Sequence, residues 1–438
     1  MRRANSARIC FLLVLTFLSA RESAAEDWPQ WRGQNRDGVW REAGVVEKFD
    51  KPRLEPKWRV QVSSGYCGPT IADGRVYVMD RIVEPKQIER IHCFDEQTGQ
   101  KLWSHEYARD YKVDYDAGPR ASVTIDDGRA YALGAMGDLH CLDAKAGKII
   151  WKKDLNAEYK IRMPIWGIAA SPLIEGDLVI VQIGGEGDAC LVAFDKSDGK
   201  EAWRSFDDTA SYSAPIIVVR GSRRTLVCYT ANNVIGVDPK NGKPRWQVPF
   251  AAKKVVIGIA TPVVEGDHLF LSNFFDGSLM LRLSKDGTSA TEVWRRGGKD
   301  EQNTDALHSI ISTPVVDGDH IYGVDSYGEL RCLEAKTGDR LWESDKAVPR
   351  ERWATIHFVW SSAQKNYWLF NEQGDLIIAN LTPKGYEEIS RTHVLEPTRD
   401  QLPSRRGGVC WSHPAFANKC VFVRNDKELA CFDLAKRN

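Results

Sequence analysis

The sequence predicts an all-β fold, an eight-bladed β-propeller of four-stranded antiparallel blades closed by an N-terminal strand in the last blade. Three observations carry this. Trp58, Trp103, Trp151, Trp203, Trp246, Trp294 and Trp342 recur at intervals of 45, 48, 52, 43, 48 and 48 residues, and a period of about 40–50 residues is that of propeller blades. Five of these tryptophans end one local frame, an acidic residue followed four positions later by Gly and eight positions later by Trp: Asp95/Gly99/Trp103, Asp143/Gly147/Trp151, Asp195/Gly199/Trp203, Asp238/Gly242/Trp246 and Glu334/Gly338/Trp342. The two ends of the repeat array are complementary: Trp58 lacks an acidic-Gly turn before it, and Cys431-Phe432-Asp433 lacks a Gly and Trp after it.

Residues 1–25 read as a signal peptide. Arg2, Arg3 and Arg8 precede an apolar run over 9–18, and Ser23-Ala24-Ala25 supplies small residues for cleavage after Ala25. Cys10 lies at the start of the apolar run, the wrong place for a lipid anchor, and no other stretch is long and apolar enough to span a bilayer. A soluble periplasmic or secreted protein is expected. Residues 26–53, with Trp28, Trp31, Arg32, Arg36 and Trp40 interspersed, are expected to form a strap packed over the propeller that spans 54–438.

Each repeat then follows one course, shown best between Ser312 and Trp342. A Pro-led β run reaches the Asp317-Gly318-Asp319 turn, a second strand covers 320–324, Tyr327-Gly328 turns the chain into a third over 329–333, and the frame turn leads to the tryptophan strand. The same course starts at Pro69, Val123, Pro172, Pro215 and Pro262. In the frame, the acid hydrogen-bonds the turn backbone, the glycine supplies a positive φ, and the tryptophan supplies a large packing surface. These are structural tasks, so chemistry has to lie elsewhere. A degenerate blade follows, with strands at 357–359, 367–370 and 376–381 and with Ile389 in the tryptophan place. The eighth blade takes its inner strands from 414–433 and its outer strand from Lys57-Trp58-Arg59-Val60, a closure that leaves no sheet edge open around the ring.

Sixty basic and sixty acidic side chains give a formal charge of zero, so no overall field draws the protein to nucleic acid or an anionic membrane. Neither is expected as a partner, and a monomer is expected. Nine cysteines remain beyond Ala25; Cys93, Cys141, Cys332 and Cys431 hold one repeat position two residues before the turn acid. Equivalent positions on separate blades lie beyond the roughly 7 Å Cα separation of a disulfide, so these four read as small buried hydrophobes. There is no CxxC pair, GxSxG elbow, HExxH or Gly-Lys-Ser/Thr phosphate loop. Gly184-Gly185-Glu186-Gly187 sits between two strands of one blade and reads as a hairpin loop.

The strings FDEQTGQKLW, LDAKAGKIIW, FDKSDGKEAW, VDPKNGKPRW and LEAKTGDRLW resemble the quinoprotein-type propeller repeat, over Leu54 to the C-terminus. The opening WPQWRGQNRDGV is similar to the start of exported PQQ-like propellers common in planctomycete-type bacteria. The resemblance implies one of two branches: pyrroloquinoline quinone (PQQ) alcohol dehydrogenases, which use the quinone with Ca²⁺ and an Asp base, or a non-enzymatic scaffold branch of the BamB type. The chain lacks the adjacent Cys-Cys pair and the haem-attaching CxxCH of the former. An exported, non-catalytic binding or scaffold module without a cofactor is expected, with a PQQ- and Ca-dependent alcohol or sugar dehydrogenase as the competing class and a carbohydrate-binding propeller as a third. No metal ligand set is assigned.

If a ligand binds, the loops entering the innermost strands present its site at the channel. Tyr66, Arg120, Trp166, Tyr212, His308, His357, Trp411 and His413 are distinctive there and do not repeat between blades. Within this set Arg120, Trp166, His308 and Trp411 are the candidate binding residues. Trp166 offers a face for a planar ring, Arg120 a carboxylate partner, and His308 a hydrogen bond. A protein, a small ligand or a glycan at the channel face is the expected partner.

Overall fold

The computed structural model describes residues 26–437; the signal-peptide reading of 1–25 lies outside them. Eight four-stranded antiparallel sheets are arranged in chain order, and one of them carries a fifth strand. The first strands of blades 1 to 8 are Thr70–Ala72, Thr124–Asp126, Leu173–Glu175, Ile216–Arg220, Val263–Glu265, Val315–Asp317, Ile356–Ser361 and Ala415–Ala417. Each blade continues outward through a hairpin to its second, third and fourth strands. Blade 8 is completed by Trp58–Gln61, paired antiparallel with Glu428–Asp433 so that Trp58 lies opposite Cys431. The ring therefore closes as the complementary chain ends require. One short helix, α1 (Leu155–Tyr159), is capped by Asp154, whose side chain accepts the Ala157 N–H; its five residues are too few for a periodic signal.

The repeated frame turns out to join neighbouring blades. The indole N–H of Trp103 on blade 1 donates to the carbonyl of Ala144 in the blade 2 turn at 3.1 Å, and Trp58, Trp151, Trp203 and Trp294 do the same to Glu96, Lys196, Pro239 and Ala335. The ring covers the turn glycine, so that a Cβ on Gly147 (φ 68) would lie 2.6 Å from the Trp103 ring. Glycine is needed there twice, for its backbone and for its missing side chain. Gly147→Ala is expected to lower stability by about 2 kcal/mol, measured by denaturant unfolding; Gly74→Ala, with the same sign of φ but open space around it, should cost less.

In the degenerate blade the register shifts the tryptophan place by one. In blades 1 to 6 the outer strand carries a bulge just before its tryptophan, as between Lys101 and Trp103, which lie opposite Phe94 and Cys93. In blade 7 Ser390 lies opposite Ile378 and Glu388 opposite Ala379, so Ile389 is the bulged, exposed residue, the counterpart of Leu102. Ser390 holds the tryptophan place. Its hydroxyl accepts the Phe49 N–H at 2.8 Å, and Phe49 packs edge-on against Trp368 with centroids 5.7 Å apart. The N-terminal segment thereby fills the junction that a tryptophan fills elsewhere.

That segment also crosses the channel. Trp28 pairs with Ile71 in blade 1, Val39–Trp40 adds a parallel strand to blade 7, and Val45 bridges to Ala435. Trp28 and Trp40 are fully buried. All nine cysteines of the described residues are free and buried, so the repeated four serve as packing. No helix among the described residues is long and apolar enough to cross a membrane.

Candidate functional site

One end of the channel is an aromatic chamber. Trp31, Tyr66, Tyr115, Trp166, Tyr212, Trp353 and Trp411 line it, together with Ile259, Ile310, Ile311, Arg120, His357 and His413, around a cavity of about 130 Å³. A cavity of roughly 150 Å³ holds benzene, so this one takes a single ring or a comparable aliphatic group. Trp166 lies 5.0 Å from Tyr212 and 6.0 Å from Tyr115, which stands edge-on to Trp353 at 5.8 Å. These rings come from loops of four different blades, held in place by the sheets behind them.

The floor is Trp31 of the N-terminal segment. Its indole N–H donates to Thr261 Oγ1 at 2.9 Å, and its ring meets His413 edge-on at 4.3 Å. The two histidines beside it are fixed as neutral tautomers. His357 Nε2–H donates to the Trp411 carbonyl at 2.9 Å; His413 Nδ1–H donates to the Pro414 carbonyl at 3.2 Å, leaving Nε2 to accept from the Ser122 hydroxyl at 2.8 Å. A carbonyl only accepts, which decides both assignments. Burial pushes their pKa values down, to about 4 for His357 and about 3 for His413. Burial likewise pushes the Tyr212 hydroxyl up to about 12 and that of Tyr66 higher still, so the phenols stay protonated.

These neutral histidines set a pH dependence. In the unfolded chain each titrates near 6.5 and in the fold near 3 or 4, so below pH 6.5 the unfolded state binds more protons and stability falls as pH falls. His140, pushed down to about 3 by burial, acts in the same direction. Thermal midpoints should be level above pH 7 and drop between pH 6.5 and 4, by up to about 1.4 kcal/mol per pH unit for each histidine. His357→Asn combined with His413→Asn should flatten that slope.

Arg120 is the one cation of the lining. It donates to the carbonyls of Gly118 at 2.9 Å and Asp114 at 3.2 Å, and also to Tyr115, with its guanidinium 4.6 Å from the Tyr66 ring centroid. No carboxylate belongs to the lining. Glu372 stands behind it, accepting the Trp411 indole N–H at 3.2 Å and pairing with Arg405; its pKa is raised by burial against the lowering effect of Arg405.

Seven of the eight residues singled out from the sequence meet at this chamber: Tyr66, Arg120, Trp166, Tyr212, His357, Trp411 and His413. His357 reaches it from within the first strand of blade 7 and not from a preceding loop. His308 is placed elsewhere: it is buried, donates from Nδ1 to the Phe274 carbonyl at 2.9 Å and accepts the Gly298 N–H at Nε2 at 2.9 Å. Both ring nitrogens serve the loop around it. Trp31, Tyr115 and Trp353 were missed. Trp31 belonged to the N-terminal motif, whose path across the channel no local pattern announces. Trp353 carried a usable signal, because it falls outside the 43-to-52-residue spacing of the structural tryptophans.

Residues 87–344, more than half of the chain, match a family model described as outer membrane protein assembly factor BamB. No curated protein matches the chain. Among solved structures, BamB from Moraxella catarrhalis is similar with a TM-score of 0.57 at 16% identity, covering 87% of this chain and 99% of that one. A europium-containing methanol dehydrogenase is similar with a TM-score of 0.64 at 12% identity, covering 91% of this chain and 89% of that one. The computationally designed Ika8 protein gives 0.54 at 10% identity, covering 87% and 98%. At these identities the structural likenesses establish the propeller fold alone. The repeat frame, the eight closed blades and the family match together place this chain in the BamB-like family of PQQ-repeat β-propellers.

Proposed function

We propose that this protein is an exported, non-catalytic binding propeller that takes an apolar, ring-sized group of a partner protein or small ligand into the aromatic chamber. The observation that carries the reading is the chamber itself, six tryptophan and tyrosine rings over a floor supplied by Trp31. Concave apolar sites with few polar groups are where proteins bind ligands. Its polar groups are committed to holding the walls: both histidines are neutral and bonded to main chain or hydroxyl, and no carboxylate is present to act as a base.

The dehydrogenase reading is less well supported. PQQ carries three carboxylates, against the single guanidinium of Arg120, and its fused rings exceed a cavity of about 130 Å³. Ca²⁺ asks for several carboxylate and amide oxygens, and among the described residues no group of three or more His, Cys, Asp or Glu is placed to hold a metal ion. The residues present do not fit that cofactor.

The test is titration of the mature protein with indole, phenol and a neutral amide lacking a ring, read by tryptophan fluorescence. Saturable quenching by the ring compounds, one per protein, is expected. Equal and non-saturating responses to all three would remove the chamber as a binding site.

A further inference from the structure

The opposite end of the channel carries a second site. The first strand of a blade is its innermost, and in blades 1 and 2 its middle residue turns N–H and C=O away from the second strand into the channel. The N-terminal segment occupies outward groups of the first strand in blades 1, 2 and 7. Ile71 of blade 1 exchanges both bonds with Trp28 at 2.9 Å, Ile125 of blade 2 donates to Pro29 at 2.8 Å, and Trp360 of blade 7 donates to Gly38 at 2.9 Å. Trp28 and Pro29, consecutive in the segment, thus serve the consecutive blades 1 and 2. At blades 3 and 4 the segment reaches the chain just before the first strand, the Arg36 guanidinium donating to the carbonyls of Ser171, Pro172 and Pro215.

Blade 5 is touched only ahead of its first strand, where Trp31 donates to Thr261, and the first-strand edges of blades 5 and 6 stay open. Val264, opposite Leu269, and Val316, opposite Ile321, hold the register that Ile71 and Ile125 hold in blades 1 and 2. Both are half-buried, and among the described residues no main-chain bond from the N-terminal segment reaches either. They face a groove of about 520 Å³, walled by Ile217, Trp360, Arg36 and Val39. Unpaired strand edges of this kind are where an extended chain adds.

The charge at the mouth states the partner's chemistry. The turns that follow these two strands carry Glu265, Asp267, Asp317 and Asp319, all exposed. Asp267 is shared with His268 and Arg282, whereas Glu265 and Asp317 make no ion pair among the described residues, Asp317 accepting only the Tyr367 hydroxyl at 3.1 Å. Asp37 is engaged by Arg41. The cations of the groove, Arg32 and Arg36, are buried and turned to main-chain carbonyls.

We propose that this groove receives one extended segment of a partner protein, basic in charge, which crosses blades 5 and 6 as the N-terminal segment crosses blades 1 and 2. Consecutive residues of the partner pair with Val264 and Val316, and its lysine or arginine side chains meet Glu265 and Asp317. This site is separate from the aromatic chamber and does not depend on it.

The probe is a labelled, N-acetylated ten-residue peptide alternating valine with lysine, compared with its valine-glutamate counterpart by fluorescence anisotropy on the full mature protein. Val264→Pro with Val316→Pro deletes only the two outward N–H groups, since proline is accepted in an edge strand where that group faces away from the ladder. The lysine peptide should bind one per protein and at least 10-fold more tightly than the glutamate peptide. The double proline variant should lose at least 10-fold of that binding with an unchanged thermal midpoint. If the proline variant does not fold, Glu265→Gln with Asp317→Asn gives the second reading, with a loss of several-fold expected. Absence of saturable binding to the wild-type protein, or binding unchanged in the folded variants, overturns the proposal.

Discussion

Replacing Trp40 with alanine should lower the unfolding free energy by about 4 kcal/mol, the range for truncating a buried tryptophan to alanine. Trp40 is fully buried and stands edge-on to Trp368 at 5.3 Å and tilted against Phe416 at 5.0 Å. Its indole N–H donates to Glu42 Oε2 at 2.8 Å, and the same carboxylate oxygen accepts the Lys419 N–H at 2.8 Å. The loss is therefore more than a cavity: Glu42 is left with a buried lone pair, and the tie between blades 7 and 8 is broken. This junction is the one whose outer strand has Ser390 where others have tryptophan, which leaves Phe49 against Trp368 in place of the usual indole. Chemical denaturation followed by intrinsic fluorescence measures the effect. Trp40→Phe keeps most of the packing and should cost about half as much.

The second large effect concerns binding. Trp166→Ala removes the ring that lies 5.0 Å from Tyr212 and 6.0 Å from Tyr115, and it should weaken indole binding at the chamber by about 10-fold, the loss of one aromatic contact and its buried area. Because Trp166 is half-buried, the fold should survive with a small change in thermal midpoint. Ala169→Phe approaches the same question from the other side. Ala169 lines the chamber, and a phenyl group there fills the space that the ligand needs. Loss of indole quenching in both variants, with midpoints close to wild type, marks the chamber as the site; quenching retained in Ala169→Phe places the ligand elsewhere.

The parts of this protein written by local physics were legible from the residues. The acidic-Gly-Trp frame repeats because every blade needs the same turn and the same ring over its neighbour's glycine, and the mismatch between Trp58 and Asp433 announced how the ring closes. The blade 7 register was missed by one residue, since Ile389 looked apolar enough for the tryptophan place, while the bulge that precedes Trp103 and its equivalents puts Ser390 there. Seven residues that line the chamber stood out because they break the repeat, six in loops that a propeller brings together and His357 inside a strand. His308 broke the repeat as well, but for local reasons: its two nitrogens staple Phe274 to Gly298. Trp31 and the open edges at Val264 and Val316 were not legible, because they depend on where a non-repeating N-terminal segment crosses the channel, a contact 230 residues long in sequence for Trp31 and Thr261.

The most direct test of a non-catalytic chamber is titration of the purified mature protein with PQQ in excess Ca²⁺, reading tryptophan quenching and dye reduction with alcohols and aldose sugars on one sample. A single guanidinium, two neutral histidines and a ring-sized cavity predict no saturable quenching at high micromolar quinone and no substrate-dependent reduction, from a sample that still binds indole. One-to-one quinone binding with alcohol-dependent dye reduction would contradict the account and make the chamber an oxidoreductase site.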